Sequence, residues 1–222
     1  MNRTAAVVDH RRQQTTGEAI ANSVSHGVAL VAVLAGTPFL ILQAVRTGSP
    51  GFVVGVSMFS ITMALLYLAS GLYHALPGGR AKRVFQVLDH SAIFLLIAGT
   101  CTPFSLGVLN GPWGWVLFGM VWTLAALGVW LKSINGLNHP MLSTGLYLLM
   151  GWLVVIAIVP LQQLMAPAGL VWLAVGGLAY TGGVVFFALG HRLRYGHFIW
   201  RLFVISGTAC HFLAVFWYAA GT

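Results

Sequence analysis

Long apolar runs alternate with short polar breaks along this chain. The runs fall at about 20–45, 51–75, 86–109, 113–131, 141–161, 168–190 and 198–219, each long enough for a helix that crosses a bilayer. Turn-forming residues mark most of the breaks: Thr47-Gly-Ser-Pro50, Pro77-Gly-Gly79, Asn110-Gly-Pro112, Asn135 to Pro140, and Ala166-Pro167. The sixth break, His191 to Gly196, is basic instead. Within the runs, Gly182 and Gly183 fit close helix packing in lipid, and Pro103 and Pro160 are expected to kink or end their helices. The pattern predicts an all-α fold, an integral membrane bundle of seven helices over residues 20–222 behind a polar tail, 1–19. No internal repeat stands out, which argues against a transporter built from inverted halves. No cleavable leader is expected, because the first residues are polar and basic and the first apolar run is long enough to span.

Composition supports the same solvent. Of 222 residues, 59% are apolar and 6% charged, with a mean hydropathy of +0.89. A soluble domain carries roughly 25% charged residues. Eleven basic and three acidic side chains cannot cover a soluble globule of this length. A soluble enzyme, a disordered chain and a nucleic-acid binder are excluded, in spite of a net charge of +8. The positive charges instead set orientation. Arg3, Arg11, Arg12, Arg80, Lys82, Arg83, Lys132, Arg192, Arg194 and Arg201 fall on one side and Arg46 alone on the other. The N terminus is expected in the cytoplasm and the C terminus outside, in a multi-pass protein of the cell membrane. Trp113, Trp115, Trp130, Trp200, Trp217 and Tyr218 sit near span ends and read as an interfacial belt. Cys101 and Cys210 form no CxxC pair and read as packing residues.

Ionisable groups at membrane depth need a reason, since an Asp at a helix centre costs roughly 2.5–3.5 kcal/mol on insertion scales. Asp9 and Glu18 are N-terminal, which leaves Asp89 as the one carboxylate in the later spans. His74 ends the second span, Ser70 precedes it by one turn, Asp89 lies early in the third and His197 opens the seventh. The alternation of spans brings all four to one layer near the cytoplasmic face. Two imidazoles, a carboxylate and a hydroxyl make a Zn2+ site with a position left for water. Asp89 would hold or deprotonate that water, and Ser70 would orient Asp89 or donate to an oxyanion. The same residues equally read as a hydrogen-bonded cluster that joins helices. Asn22 and His26, spaced one turn apart, are expected to support this layer through interhelical hydrogen bonds. His90 points about 100° away from Asp89 and reads as a packing residue. His211 lies some 21 Å along the helix from His197 and reads as structural. His10, His139 and His191 fall in the tail and loops.

In combination, several motifs resemble the haemolysin III branch of the progestin and adipoQ receptor family, which includes the adiponectin receptors. They are Glu18-Ala-Ile-Ala-Asn22 with Ser25-His26-Gly27, Ser70-Gly-Leu-Tyr-His74, Leu88-Asp89-His90-Ser91-Ala92 continuing to Ala98-Gly-Thr-Cys-Thr-Pro103, Gly196-His197-Phe-Ile-Trp-Arg201, and Ala209-Cys-His-Phe212. The resemblance covers nearly the whole chain. It implies seven helices with a cytoplasmic N terminus, and zinc held by histidines from SxxxH on the second helix and HxxxH on the seventh. The aspartate of the third helix would reach the metal through water. His74, His197, Asp89 and Ser70 match that pattern; Arg201 stands where the third histidine belongs. A guanidinium is not a metal ligand at neutral pH. Two histidines with Asp89 would hold zinc weakly, with His26 or His90 assisting; alternatively Arg201 enters the site and pairs with Asp89, or extends to the headgroups.

Two functions follow as expectations. The first is a zinc-dependent hydrolase of lipid amide or ester bonds, since members of the wider superfamily resemble ceramidases, with Asp89 as base and Ser70 assisting. The second is a non-enzymatic, lipid-responsive regulator of membrane homeostasis. Cytolysis ranks third, and ion movement is disfavoured because the ionisable groups crowd one side. The partners expected are membrane lipids, with a second copy of the chain or another membrane protein inside the bilayer, and no nucleic acid.

Overall fold

The computed structural model describes residues 15–47, 49–134, 140–190 and 192–219. Asp9, His10, His139 and His191 lie outside the described residues, as do Arg3, Arg11 and Arg12. Seven spans form α1 (Thr16–Thr47), α2 (Pro50–Ala75), α3 (Arg80–Pro103), α4 (Pro112–Ser133), α5 (Pro140–Trp152 with Ile158–Leu164), α6 (Pro167–Ala188) and α7 (Gly196–Tyr218). Among the described residues, these seven are long and apolar enough to cross a membrane. The all-α membrane bundle expected from the sequence is the one observed. Its first helix starts at Thr16, so Glu18 sits in a first helical turn and not in a tail.

Helix starts follow local chemistry. Pro50, Pro112 and Pro167 open α2, α4 and α6, where a missing N–H is harmless and φ is already set. The Ser49 hydroxyl caps α2 by accepting from the Phe52 N–H. Two of the prolines inside spans, Pro103 and Pro160, accompany a change of helix geometry, whereas Pro38 lies within an unbroken α1. Pro103 is followed by a π turn, Phe104–Val108, and Pro160 by one turn follows a 3-10 stretch, Leu153–Ala157. Removing one N–H leaves a carbonyl unpaired, and a locally rewound ladder accommodates it. Several hydroxyls at membrane depth donate within their own helices. Thr100 donates to the Leu96 carbonyl and Thr102 to that of Ala98.

Neighbouring helices pack in sequence, and α1 meets α7 to close the ring. α3 is the most enclosed helix, followed by α2, while α6 is the least enclosed. Small residues set the approach of α2 to α3. A Cβ at Gly55 would lie 2.7 Å from Cα of Pro103, and one at Gly99 would strike the Thr62 side chain. Gly183 receives Phe203 and Trp200 in the same way, whereas Gly182 leaves ordinary contact distance. Trp113, Trp115, Trp130 and Trp217 are exposed at span ends as a belt requires. Trp200 and Tyr218 depart from that expectation. They pack inward against Gly183 and Gly169, because only a glycine leaves room for a ring there.

Gly55→Ala is therefore expected to destabilise the bundle by about 1–3 kcal/mol through overpacking against backbone. Gly119→Ala, whose Cβ meets nothing within 4 Å, is expected to be neutral. Reversible unfolding of the detergent-solubilised protein compares the two.

Candidate functional site

The N-terminal ends of α1, α3 and α7 and the C-terminal end of α2 bring together the buried polar side chains Glu18, Asn22, His26, Ser70, Asp89 and Arg201. Their centre is Arg201, one turn into α7 and 6% exposed. A guanidinium carries only donors. Its Nη1 donates to Ser70 Oγ at 2.6 Å and to His26 Nδ1 at 2.9 Å, and its Nη2 donates to His74 Nε2 at 2.5 Å. The acceptors come from α1 and α2, so one side chain of α7 ties three helices. Accepting these bonds places the His26 proton on Nε2 and the His74 proton on Nδ1. Even at the centre of a span an arginine would cost about 2.5–3.5 kcal/mol on insertion scales, and Arg201 lies only one turn in from the end of its helix. Three charge-assisted hydrogen bonds of about 1.5–3 kcal/mol each outweigh that.

A second tie lies beside the first. The Glu18 carboxylate accepts from the Thr15 N–H and hydroxyl through Oε2, and the Thr15 hydroxyl accepts in turn from the Glu18 N–H. This reciprocal pattern starts α1. Oε1 reaches the start of the neighbouring α7 and accepts from the Tyr195 N–H at 2.8 Å. Tyr195 precedes α7 with φ 60°, and its own side chain makes no cap hydrogen bond. A carboxylate from the first helix thus sits at the positive end of the last.

The site opens into a cavity of about 1040 Å³. His74, Asp89, His90, His197 and Arg201 line its polar end, the one expected to face the cytoplasm, and Phe104 and Leu161 line its far end. From Asp89 to Phe104 it follows α3 for roughly 22 Å at helical rise. One wall lies between α5 and α6, where packing is sparse and the Trp152 indole N–H donates to the Thr181 hydroxyl at 3.1 Å. The Tyr147 hydroxyl donates to the His90 carbonyl, holding α5 to α3.

Ser70, His74, Asp89 and His197 all reach this cavity, as their shared layer predicted. They do not meet at one point. His197 packs edge-on against Phe187, with Gly190 leaving room for its ring. Asp89 is buried, and among the described residues the Arg201–Asp89 ion pair open to the sequence is not formed. The donor set expected for zinc, His74, His197 and Asp89, does not fit a metal ion as arranged. The Nε2 lone pair of His74 already accepts from Arg201, and among the described residues no three His, Cys, Asp or Glu side chains form a group able to hold one.

His26 is nearer the centre than its expected supporting role. Asn22 is fully buried, and neither end of its amide has a partner among the described residues. Glu18, Tyr147 and the Trp152–Thr181 bridge were not anticipated. The Thr15-x-x-Glu18 spacing is a legible helix-start signal; the contact with Tyr195 has no local signature. His211, expected to be structural, lies far from the Arg201 cluster on the same cavity wall. Its ring approaches the Leu173 carbonyl, with Nε2 3.1 Å away, over Gly176.

A seven-helix membrane bundle with a polar layer at its inner end defines the class. Sequence comparison defines the family. A profile described as "Haemolysin-III related" matches residues 14–212. The chain is 40% identical to "Hemolysin-3" of Bacillus cereus over 212 residues, 96% of each chain. It is 39% identical to "Hemolysin-3 homolog" of Bacillus subtilis (strain 168), over 92% of this chain and 95% of that one. At 24% identity it resembles "Monocyte to macrophage differentiation factor" of Homo sapiens, over 96% of this chain and 89% of that one. The chain belongs to the haemolysin III family, as its motifs indicated, and is a multi-pass membrane protein.

Glu18→Ala is expected to destabilise the bundle by about 1–2 kcal/mol, since it removes an N-terminal cap on α1 and the acceptor at α7. Thr15→Ala, which spares the Tyr195 contact, is expected to do less. Thermal unfolding in detergent measures both.

Proposed function

We propose that this chain is a non-enzymatic, lipid-responsive membrane protein that takes a single-chain amphiphile into its cavity. The carrying observation is the cavity itself, polar at the cytoplasmic end and apolar over a length of roughly 22 Å along α3. A polar head set among Arg201, His74 and Asp89 would be hydrogen-bonded, and an alkyl chain would lie along Ile97, Phe104 and Leu161. Occupancy would then be read out as a change in how α5 sits against α6, one of the sparser contacts bordering the cavity.

The hydrolase reading has less support. Water activated on zinc would need the Nε2 lone pair of His74, and an assisting Ser70 would need its hydroxyl free to turn. Arg201 engages both atoms. Asp89 remains as a base without an electrophile beside it. Cytolysis, raised by the names of the Bacillus relatives, ranks third, because seven long spans with regular inside–outside alternation suit a resident of the membrane.

Gly177 lines the cavity, and a Cβ there meets nothing within 4 Å. Gly177→Phe is expected to fill the space, weakening binding of a fluorescent single-chain amphiphile about tenfold or more, near 1.4 kcal/mol, with little change in stability. Energy transfer from tryptophan to the probe in reconstituted vesicles reads the affinity. Lipid amides and esters are expected to stay intact in the same vesicles. Product formation abolished by Asp89→Asn would overturn the non-enzymatic reading.

A further inference from the structure

We infer that Arg201 is a covalently attached cation standing in the place of a metal ion, so that the histidines it engages need none. This inference does not depend on what enters the cavity. Three acceptors from two helices, Ser70 Oγ, His26 Nδ1 and His74 Nε2, converge on one positive group supplied by α7. A metal would gather neutral donors in the same way, through the same in-plane lone pairs. An imidazole nitrogen has one such lone pair. His74 Nε2 can accept from Arg201 or bind a metal, not both.

The neighbouring groups agree with this assignment. The remaining His26 nitrogen, Nε2, carries the proton and has no lone pair to offer. His197 lies against Phe187 and Gly190. Glu18 is committed to Thr15 and the Tyr195 N–H. A divalent ion placed in this layer would face a positive guanidinium held by three hydrogen bonds. The difference from a metal is exchange. A bound ion leaves when a chelator competes for it, whereas a side chain does not. A metal would also act as a Lewis acid, and the guanidinium supplies only positive charge and directed N–H groups. The layer therefore holds its helices together permanently and fixes two histidine tautomers.

The test uses the full chain purified in detergent from zinc-replete cells. Elemental analysis is expected to find zinc well below one ion per chain, with a Tm unmoved by added zinc or by a chelator. Arg201→His is expected to retain about one zinc per chain, with a chelator-sensitive Tm, and adding His74→Ala should remove that zinc. Stoichiometric zinc in the unaltered chain, lost on His74→Ala, overturns the inference. So does a folded Arg201→His that takes up no zinc, since position 201 would then not be a metal position. If that variant does not fold, 15N NMR of histidine-labelled unaltered chain decides. A proton on Nε2 of His26 and on Nδ1 of His74 is expected at neutral pH; the opposite tautomer, or a doubly protonated ring, overturns it. Lipid binding enters none of these readouts, so their failure is distinguishable from failure of the proposed function.

Discussion

One buried guanidinium joins the first, second and seventh helices of this protein. In water such a group gains little from any partner, because solvent serves it as well. Inside a bundle where charged residues are 6% of the chain, it has few alternatives, and Ser70, His26 and His74 have few others either. The mutual need fixes the layer. It sets which face of α1 turns inward, since His26 and the buried Asn22 lie one turn apart on that face. It also sets the depth of α7 against α2.

The rest of the bundle divides between places where backbones touch and places where they part. Gly51 and Gly55 bring α2 against the irregular end of α3, and Gly176, Gly183 and Gly207 bring α6 against α7. Two tightly packed blocks result. Between them α5 is held by a few directed bonds, from Tyr147 to the His90 carbonyl and from Trp152 to Thr181. Lipid tails are as apolar as leucine, so a helix lacking small-residue contacts has little reason to pack closely. The cavity is the space that remains.

Much of this was legible in the amino-acid order. Apolar run length gave the seven helices, and the lysine and arginine positions gave their alternation, because both act through bulk transfer from water to lipid. Alternation then brought Ser70, His74, Asp89 and His197 to one end. What alternation could not specify was contact. His197 and His74 share a depth, yet Phe187 and Gly190 hold one ring while Arg201 holds the other. Side-chain direction depends on helix rotation, and helices apolar on every side carry little rotational signal. Arg201 itself was conspicuous as a departure from the motif, and pairing with Asp89 was one of the alternatives it left open. The geometry chose two imidazoles and a hydroxyl instead.

The bond between Glu18 and Tyr195 spans 177 positions, and that between His26 and Arg201 spans 175. A ribosome working at about 5–20 residues per second needs roughly 10–35 s to cover such a distance. During that interval the early helices must wait in the bilayer with their polar groups facing headgroups and water. Insertion of the final span is thus the event that seals the inner rim. A chain halted before that point would retain most of its helices and none of its closure, which gives quality control a plain way to tell a finished molecule from an unfinished one.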